Sequence, residues 1–154
     1  MKGDDKVLVV NAIENGTVID HIPAGKLFAV ISILGLDQLK NQMTVGTNLE
    51  SKKLGCKAII KIADKYFEKK ELNKIALVAP QAKLNIIQNY QVIEKRVVEL
   101  PDEIVSGIVK CVNPKCITNN EKIQTKFHIL SHKDITLKCH FCEKITPHDR
   151  MEIL

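Results

Sequence analysis

The chain reads as an α+β protein of two domains: an antiparallel sheet with helices on one face over residues 1–100, and a small all-β zinc-binding domain over residues 101–154. Three observations predict this. Short β-branched runs at 43–49, 57–62, 83–88 and 91–100 come in pairs with turn residues between them, as hairpins require. Two stretches, following Pro23 and at 68–76, read as helices. Four cysteines, Cys111, Cys116, Cys139 and Cys142, stand near the C-terminal end as C-x4-C-x22-C-x2-C, a spacing that can bring four thiolates around one ion.

Taken in order, KVLVVNAI (6–13) is β-branched and lies between Asp4–Asp5 and Glu14–Asn15–Gly16, so it reads as a first buried strand. TVIDHIPAG then carries the chain into a helix. Pro23 suits a first helical turn, Leu27, Val30, Ile31 and Leu34 share one helical face, and Gly35 suits the C-terminal cap. MTVGTNL (43–49) and KAIIKI (57–62) are separated by Glu50–Ser51–Lys52–Lys53 and Gly55, the pattern of an antiparallel hairpin. EKKELNKIA (68–76) predicts a short helix before Ala79–Pro80. KLNIIQ (83–88) and QVIEKRVVEL (91–100) flank Asn89–Tyr90 and form a second hairpin. The order βαββαββ is the ferredoxin-like pattern. Leu100–Pro101–Asp102–Glu103 marks the boundary, because proline interrupts strand pairing and acidic residues favour exposure. Beyond it, the KFHIL and DITLK strands link the two cysteine knuckles.

The cysteines point to one structural Zn2+ per chain, with Zn–S distances of about 2.3 Å. Four thiolates close the coordination sphere and leave no position for water or substrate, so catalysis at the metal is not expected. An iron site could use the same ligands. Two disulfides or four unrelated core cysteines are the competing readings. Disulfides need an oxidising compartment, and the chain begins MKGDDKVLVV without a charged-then-apolar leader, which predicts a cytoplasmic setting. His140, between Cys139 and Cys142, is a candidate substitute ligand, but with four thiolates available it reads as a bystander. Lys110, Lys115, Lys138 and Lys144 flank the ligands, where they can offset the roughly −2 charge of a four-thiolate zinc centre without any nucleic-acid partner.

Composition bounds the remaining classes, with a zinc-ribbon nucleic-acid-binding protein kept as the alternative reading. No apolar run approaches the roughly 20 residues of a membrane span. At 45% hydrophobic and 27% charged residues the chain is an ordinary globular one. The net charge of +5 lies mostly outside the cysteine module: residues 1–100 hold 15 Lys+Arg against 11 Asp+Glu, and residues 101–154 hold 8 against 7. That is the reverse of a nucleic-acid-binding zinc ribbon, and 4% aromatic residues with no Trp supply little for base stacking. There is no Walker-type G-x-x-x-x-G-K-[ST], no G-x-G-x-x-G and no H-E-x-x-H.

Asp20–His21 is the one acid–base candidate. Adjacent side chains of an extended segment point to opposite faces, so the pair makes no dyad unless the backbone bends near Pro23, and no partner nucleophile is evident. A non-catalytic ligand site built from Asp20, His21, Lys61, Asn85 and Lys95, polar residues on or beside apolar strands, is easier to support. For each of them taken alone, a solvated strand face is the commoner explanation.

NGTVIDHIPAG, KAIIKI, APQAKLNIIQNYQVIEK, LPDEI and CVNPKCITN…LKCHFCEK, in this order and over nearly the whole length, resemble the regulatory-chain family of aspartate carbamoyltransferase. The resemblance implies a chain without catalytic activity. Its N-terminal domain would bind CTP, ATP or UTP, and its zinc domain would dock on the catalytic chain, in holoenzymes that join two catalytic trimers through three regulatory dimers. Carried over by motif, Ala12 and Ile13 would lie near the base, Asp20 at the ribose, and Lys61 and Lys95 at ribose or phosphate. Val18, His21, Asn85, Ile87, Tyr90 and Val92 would complete the pocket, and Asn113, Lys115 and Glu143 would face the catalytic chain. Two residues depart from the family pattern: Asn11 stands where some members carry an acidic residue, and Lys115 where asparagine is common.

Overall fold

The computed structural model describes residues 12–101 and 105–154, which form two compact units divided after Val98. In the first, the elements are β1 (Gly16–Pro23), α1 (Leu27–Ile33), β2 (Met43–Ser51), β3 (Gly55–Ala63), α2 (Lys69–Asn73), β4 (Lys83–Gln88) and β5 (Gln91–Val97). All strands are antiparallel in the order β2-β3-β1-β4-β5. The two hairpins supply the flanks, and β1 is the central strand that joins them.

That central strand differs from the expectation. Residues 6–11 of the expected first strand lie outside the described residues, and Ala12 and Ile13 are irregular. The stretch expected to lead into the helix is itself β1. Its alternation is masked in the sequence by Asp20–His21, where the ladder to β3 slips between Ile19 and Ile22 and His21 adopts φ 58°. This is a bulge, which lets an extra residue sit in a strand that is otherwise fully paired. Pro23, without an N–H to give the ladder, ends the strand and precedes a 3-10 turn, Ala24–Lys26.

The helices pack on one face. Thr17, Ile19, Ile60, Ile62, Leu84 and Ile86 alternate inward and are buried, as are Leu27 and Val30 of α1 and Leu72 of α2. Ile31 and Leu34, expected on the same stripe, are half-buried. Gly35 takes φ 62° and donates its N–H to Ser32 O at 3.1 Å, the left-handed cap its position predicts. The helix expected over 68–76 runs as α2 and then tightens into a 3-10 turn, Lys74–Leu77, which buries Ile75, Ala76 and Leu77. The β4–β5 hairpin turns on Asn89 (φ 51°) and Tyr90 (φ 65°), two consecutive left-handed residues as a type I′ turn demands.

The second unit holds β6 (Val105–Ser106), β7 (Val109–Lys110), α3 (Ile117–Asn120), β8 (Lys126–Ser131), β9 (Thr136–Cys139), β10 (Ile145–Thr146) and β11 (Glu152–Ile153). Four strands form one sheet in the order β10-β9-β8-β6, and β11 pairs with β7. The single turn of α3 and a 3-10 turn at His148–Arg150 are helical departures from an all-β arrangement. Val109, Phe127 and Leu137 are fully buried, alongside three of the cysteines. No helix among the described residues is long and apolar enough to cross a membrane.

Candidate functional site

The face of the first sheet opposite the helices carries the predicted ligand residues in register. Val18 on β1 lies opposite Lys61 on β3 and Asn85 on β4, and Asn85 lies opposite Lys95 on β5. Cross-strand partners point the same way, so these four form one row across four strands. Two residues along β1, Asp20 joins the same face; two residues back, Gly16 pairs with Ile87, which in turn pairs with Val92. Ala12 and Ile13 precede β1 near the hairpin turn: Tyr90 N donates to Glu14 O at 2.9 Å and Asn89 N to Asn15 Oδ1 at 3.2 Å. These bonds hold Tyr90 in a backbone region that a bulky residue rarely adopts, with its side chain exposed.

The bend anticipated near Pro23 occurs at His21. It folds the backbone so that His21 N donates to Asp20 Oδ1 at 2.6 Å, while the imidazole Nδ1 lies 3.6 Å from the same oxygen. Asp20 is engaged further by Lys57 Nζ at 2.9 Å, so the pair is a held carboxylate beside a neutral imidazole rather than a proton relay. Lys57 was not singled out by sequence reasoning, nor was Lys83, which sits opposite Asp20; the period-two spacing of Lys57, Ile59 and Lys61 was the signal available for the former. Burial lowers the His21 pKa below 6.5. Asp20 opposes the shift, and Lys57, Lys83 and Lys53 reinforce it. Burial likewise lowers the Lys61 pKa, with Asp20 opposing.

Because the folded chain binds the His21 proton more weakly than the unfolded chain does, the associated stability is complete above pH 6.5 and is lost as pH falls toward the folded value. An NMR titration of the His21 ring is expected to give a midpoint below 6.5; one at or above that value would contradict the environment described.

In the second unit the four cysteine sulfurs lie within 4.8 Å of one another. Cys111 Sγ is 3.5 Å from Cys142 Sγ, and Cys116 Sγ is 3.8 Å from Cys139 Sγ. These separations far exceed the roughly 2 Å of an S–S bond. They match the edge of about 3.8 Å that a tetrahedron with 2.3 Å metal–sulfur bonds requires. The donor set therefore fits a tetrahedral thiophilic ion. Cys111 and Cys116 come from the loop between β7 and α3, which Asn119 Nδ2 braces by donating to Cys111 O at 2.9 Å and Asn113 O at 2.8 Å. Cys139 ends β9 and Cys142 follows in a turn closed by Glu143 N donating to Cys139 O at 3.0 Å, with Glu143 at φ 61°.

Burial pushes the Cys111 thiol up to about 12 and raises Cys139 as well. For Cys142 burial acts in the same direction but is outweighed by hydrogen bonds from the Lys144 backbone, the Asn113 side chain and the neighbouring thiols, which bring it down to about 7. One thiolate thus forms readily, whereas four together need a cation among them. His140 turns away, its Nδ1 3.0 Å from His128 Nε2. Of the residues expected to face a partner, Asn113 Oδ1 accepts from Lys115 N at 3.1 Å, and the exposed Glu143 carboxylate lies 4.0 Å from Lys138 Nζ. All three lie in the cysteine loops.

Comparison with known proteins agrees with both units. The family model for the allosteric domain of the aspartate carbamoyltransferase regulatory chain matches residues 8–99, and that for the metal-binding domain of the same chain matches residues 103–152. The chain is 54% identical over 154 residues to the aspartate carbamoyltransferase regulatory chain of Bacteroides thetaiotaomicron, covering all of both chains. It is 56% identical over 144 residues to that of Bacteroides fragilis, covering 94% of each chain. To that of Pyrococcus horikoshii it is 53% identical over 139 residues, covering 89% of this chain and 91% of the relative. With both domains matched in order and such identities along the whole length, the chain belongs to the family of aspartate carbamoyltransferase regulatory chains, which are non-catalytic subunits.

Proposed function

We propose that this chain binds a nucleotide effector, CTP, ATP or UTP, on the open face of its first sheet and passes control to the catalytic chain of aspartate carbamoyltransferase in cytoplasmic pyrimidine synthesis. The observation that carries this reading is the row Lys61–Val18–Asn85–Lys95 with Asp20 beside it, set on the face the helices leave uncovered. Base, ribose and phosphates need, in turn, an apolar and backbone-rich end, a hydroxyl acceptor and cations. Ala12, Ile13, Tyr90, Ile87 and Val92 supply the first; Asp20 supplies the second; Lys61 and Lys95 supply the third, with the neutral His21 completing the pocket beside Asp20. A single structural Zn2+ held by Cys111, Cys116, Cys139 and Cys142 would fasten the second unit. Asn113, Lys115 and Glu143, carried on the loops so fastened, would meet the catalytic chain. Two copies would pair through the first unit, whose sheet ends in the edge strands β2 and β5. Control requires that the nucleotide bind the two states of the assembly unequally, and the coupling is then reciprocal.

A zinc-ribbon role in nucleic-acid binding is not favoured: both family matches and the full-length relatives are regulatory chains. Calorimetric titration of CTP and ATP into the wild-type chain and Lys95→Ala tests the reading. Loss of a charge-assisted contact of roughly 1.5–3 kcal/mol is expected to weaken binding by about ten- to a hundredfold with zinc content unchanged. Equal affinities would remove Lys95 from the site.

A further inference from the structure

A second pair of metal-ligating side chains lies outside the thiol cluster. His128 on β8 and His140, between Cys139 and Cys142, meet with Nε2 of the first 3.0 Å from Nδ1 of the second. Their ring centroids are 5.3 Å apart and their planes are inclined by 42°. His140 also packs edge-on against Phe141, at 5.2 Å. The backbones are pinned, since His128 pairs with Lys138 across the ladder and His140 N donates to Lys126 O at 2.8 Å. His140 is exposed and His128 half-buried, so the rings can turn where the main chain cannot.

We propose that His128 and His140 form a second metal site, separate from the four-thiol cluster and open to water, for a divalent ion of the nickel and copper class. Imidazole is the donor such ions favour, and both adopt tetragonal geometry. Metal–nitrogen bonds of about 2.0–2.1 Å place two cis nitrogens about 2.8–3.0 Å apart, the separation found here. Without an ion, one ring N–H bonds to the other ring's lone pair. Shifting the one inward-facing proton, so that His128 carries its proton on Nδ1 and His140 on Nε2, frees both inner lone pairs while each ring stays neutral, and turning each exposed ring by roughly 45° aims them at a common point. Water completes the coordination. Lys138 and Lys126, on the same face as His128, oppose a bound cation, and Glu143 beside Lys138 offsets this in part. The site is therefore exchangeable, unlike the buried thiol cluster.

Titration of Ni2+ into the zinc-loaded full-length chain, by calorimetry with released zinc monitored by a chromophoric chelator, tests this. One Ni2+ per chain is expected to bind without zinc release. His128→Ala and His140→Ala should each weaken it at least about tenfold, as loss of metal-site contacts does, while His132→Ala leaves it unchanged. His128 lies outside the cysteine loops, so its variant decides the matter if His140→Ala loses zinc. No Ni2+ uptake by the wild type, uptake indifferent to His128→Ala, or uptake matched by zinc release would each overturn the proposal.

Discussion

Stripping the metal from the full-length chain with excess chelator is expected to unfold residues 105–154 and leave the sheet of the first unit standing. The second unit has strands of two to six residues, and among the described residues its buried large apolar side chains are Val109, Phe127, Ile135 and Leu137, besides its cysteines. A core of that size supplies on the order of 3–5 kcal/mol at best, against the roughly 10–16 kcal/mol that a structural zinc contributes in small modules. Removing the ion also leaves four thiols crowded at the centre, with Cys111 and Cys139 resisting ionisation through burial. Hydrogen exchange read by mass spectrometry should show amides of β8 and β9 losing protection on chelation while those of β1, β3 and β4 keep it. Retained protection in β8 and β9 would mean that the apolar core alone holds this unit.

Gly16→Ala is expected to destabilise the first unit by on the order of 4 kcal/mol, from overpacking and backbone strain together. Gly16 opens β1 at φ 140°, and a Cβ there would stand 2.0 Å from the carbonyl oxygen of Ile62. The obstacle is main chain of the adjacent strand, so it yields only if β1 and β3 separate where Gly16 pairs with Ala63. The same residue pairs with Ile87 on β4, which places the damage at the apolar end of the proposed nucleotide row. Chemical denaturation should register the loss with metal content unaltered. A midpoint close to wild type would show that the strand entry relaxes at little cost.

Local chemistry made much of this protein legible in its sequence. Ligand spacing is a property of short segments, so Cys111, Cys116, Cys139 and Cys142 could be grouped before any fold was known. Asn89–Tyr90 and the Lys52–Gly55 region punctuate β-rich runs whose pairing is nearly contiguous, so both hairpins were readable, as were the Leu27–Val30 stripe and the Gly35 cap. The resemblance, too, was carried by short motifs. What the sequence could not decide were the long-range registers. That Gly16–Pro23 is the central strand, and that Val18 stands between Lys61 and Asn85, depends on pairing segments far apart in the chain. A slip of one residue would turn Val18, Asp20, Asn85 and Lys61 into the core and expose Ile19, Ile60 and Leu84. Only the packing of both faces at once forbids that slip. The lysines that converge on Asp20 follow from the same registers, and the left-handed turn at His21 is the bulge that the β1–β3 pairing imposes; the meeting of His128 with His140 follows from the separate β8–β9 pairing of the second unit.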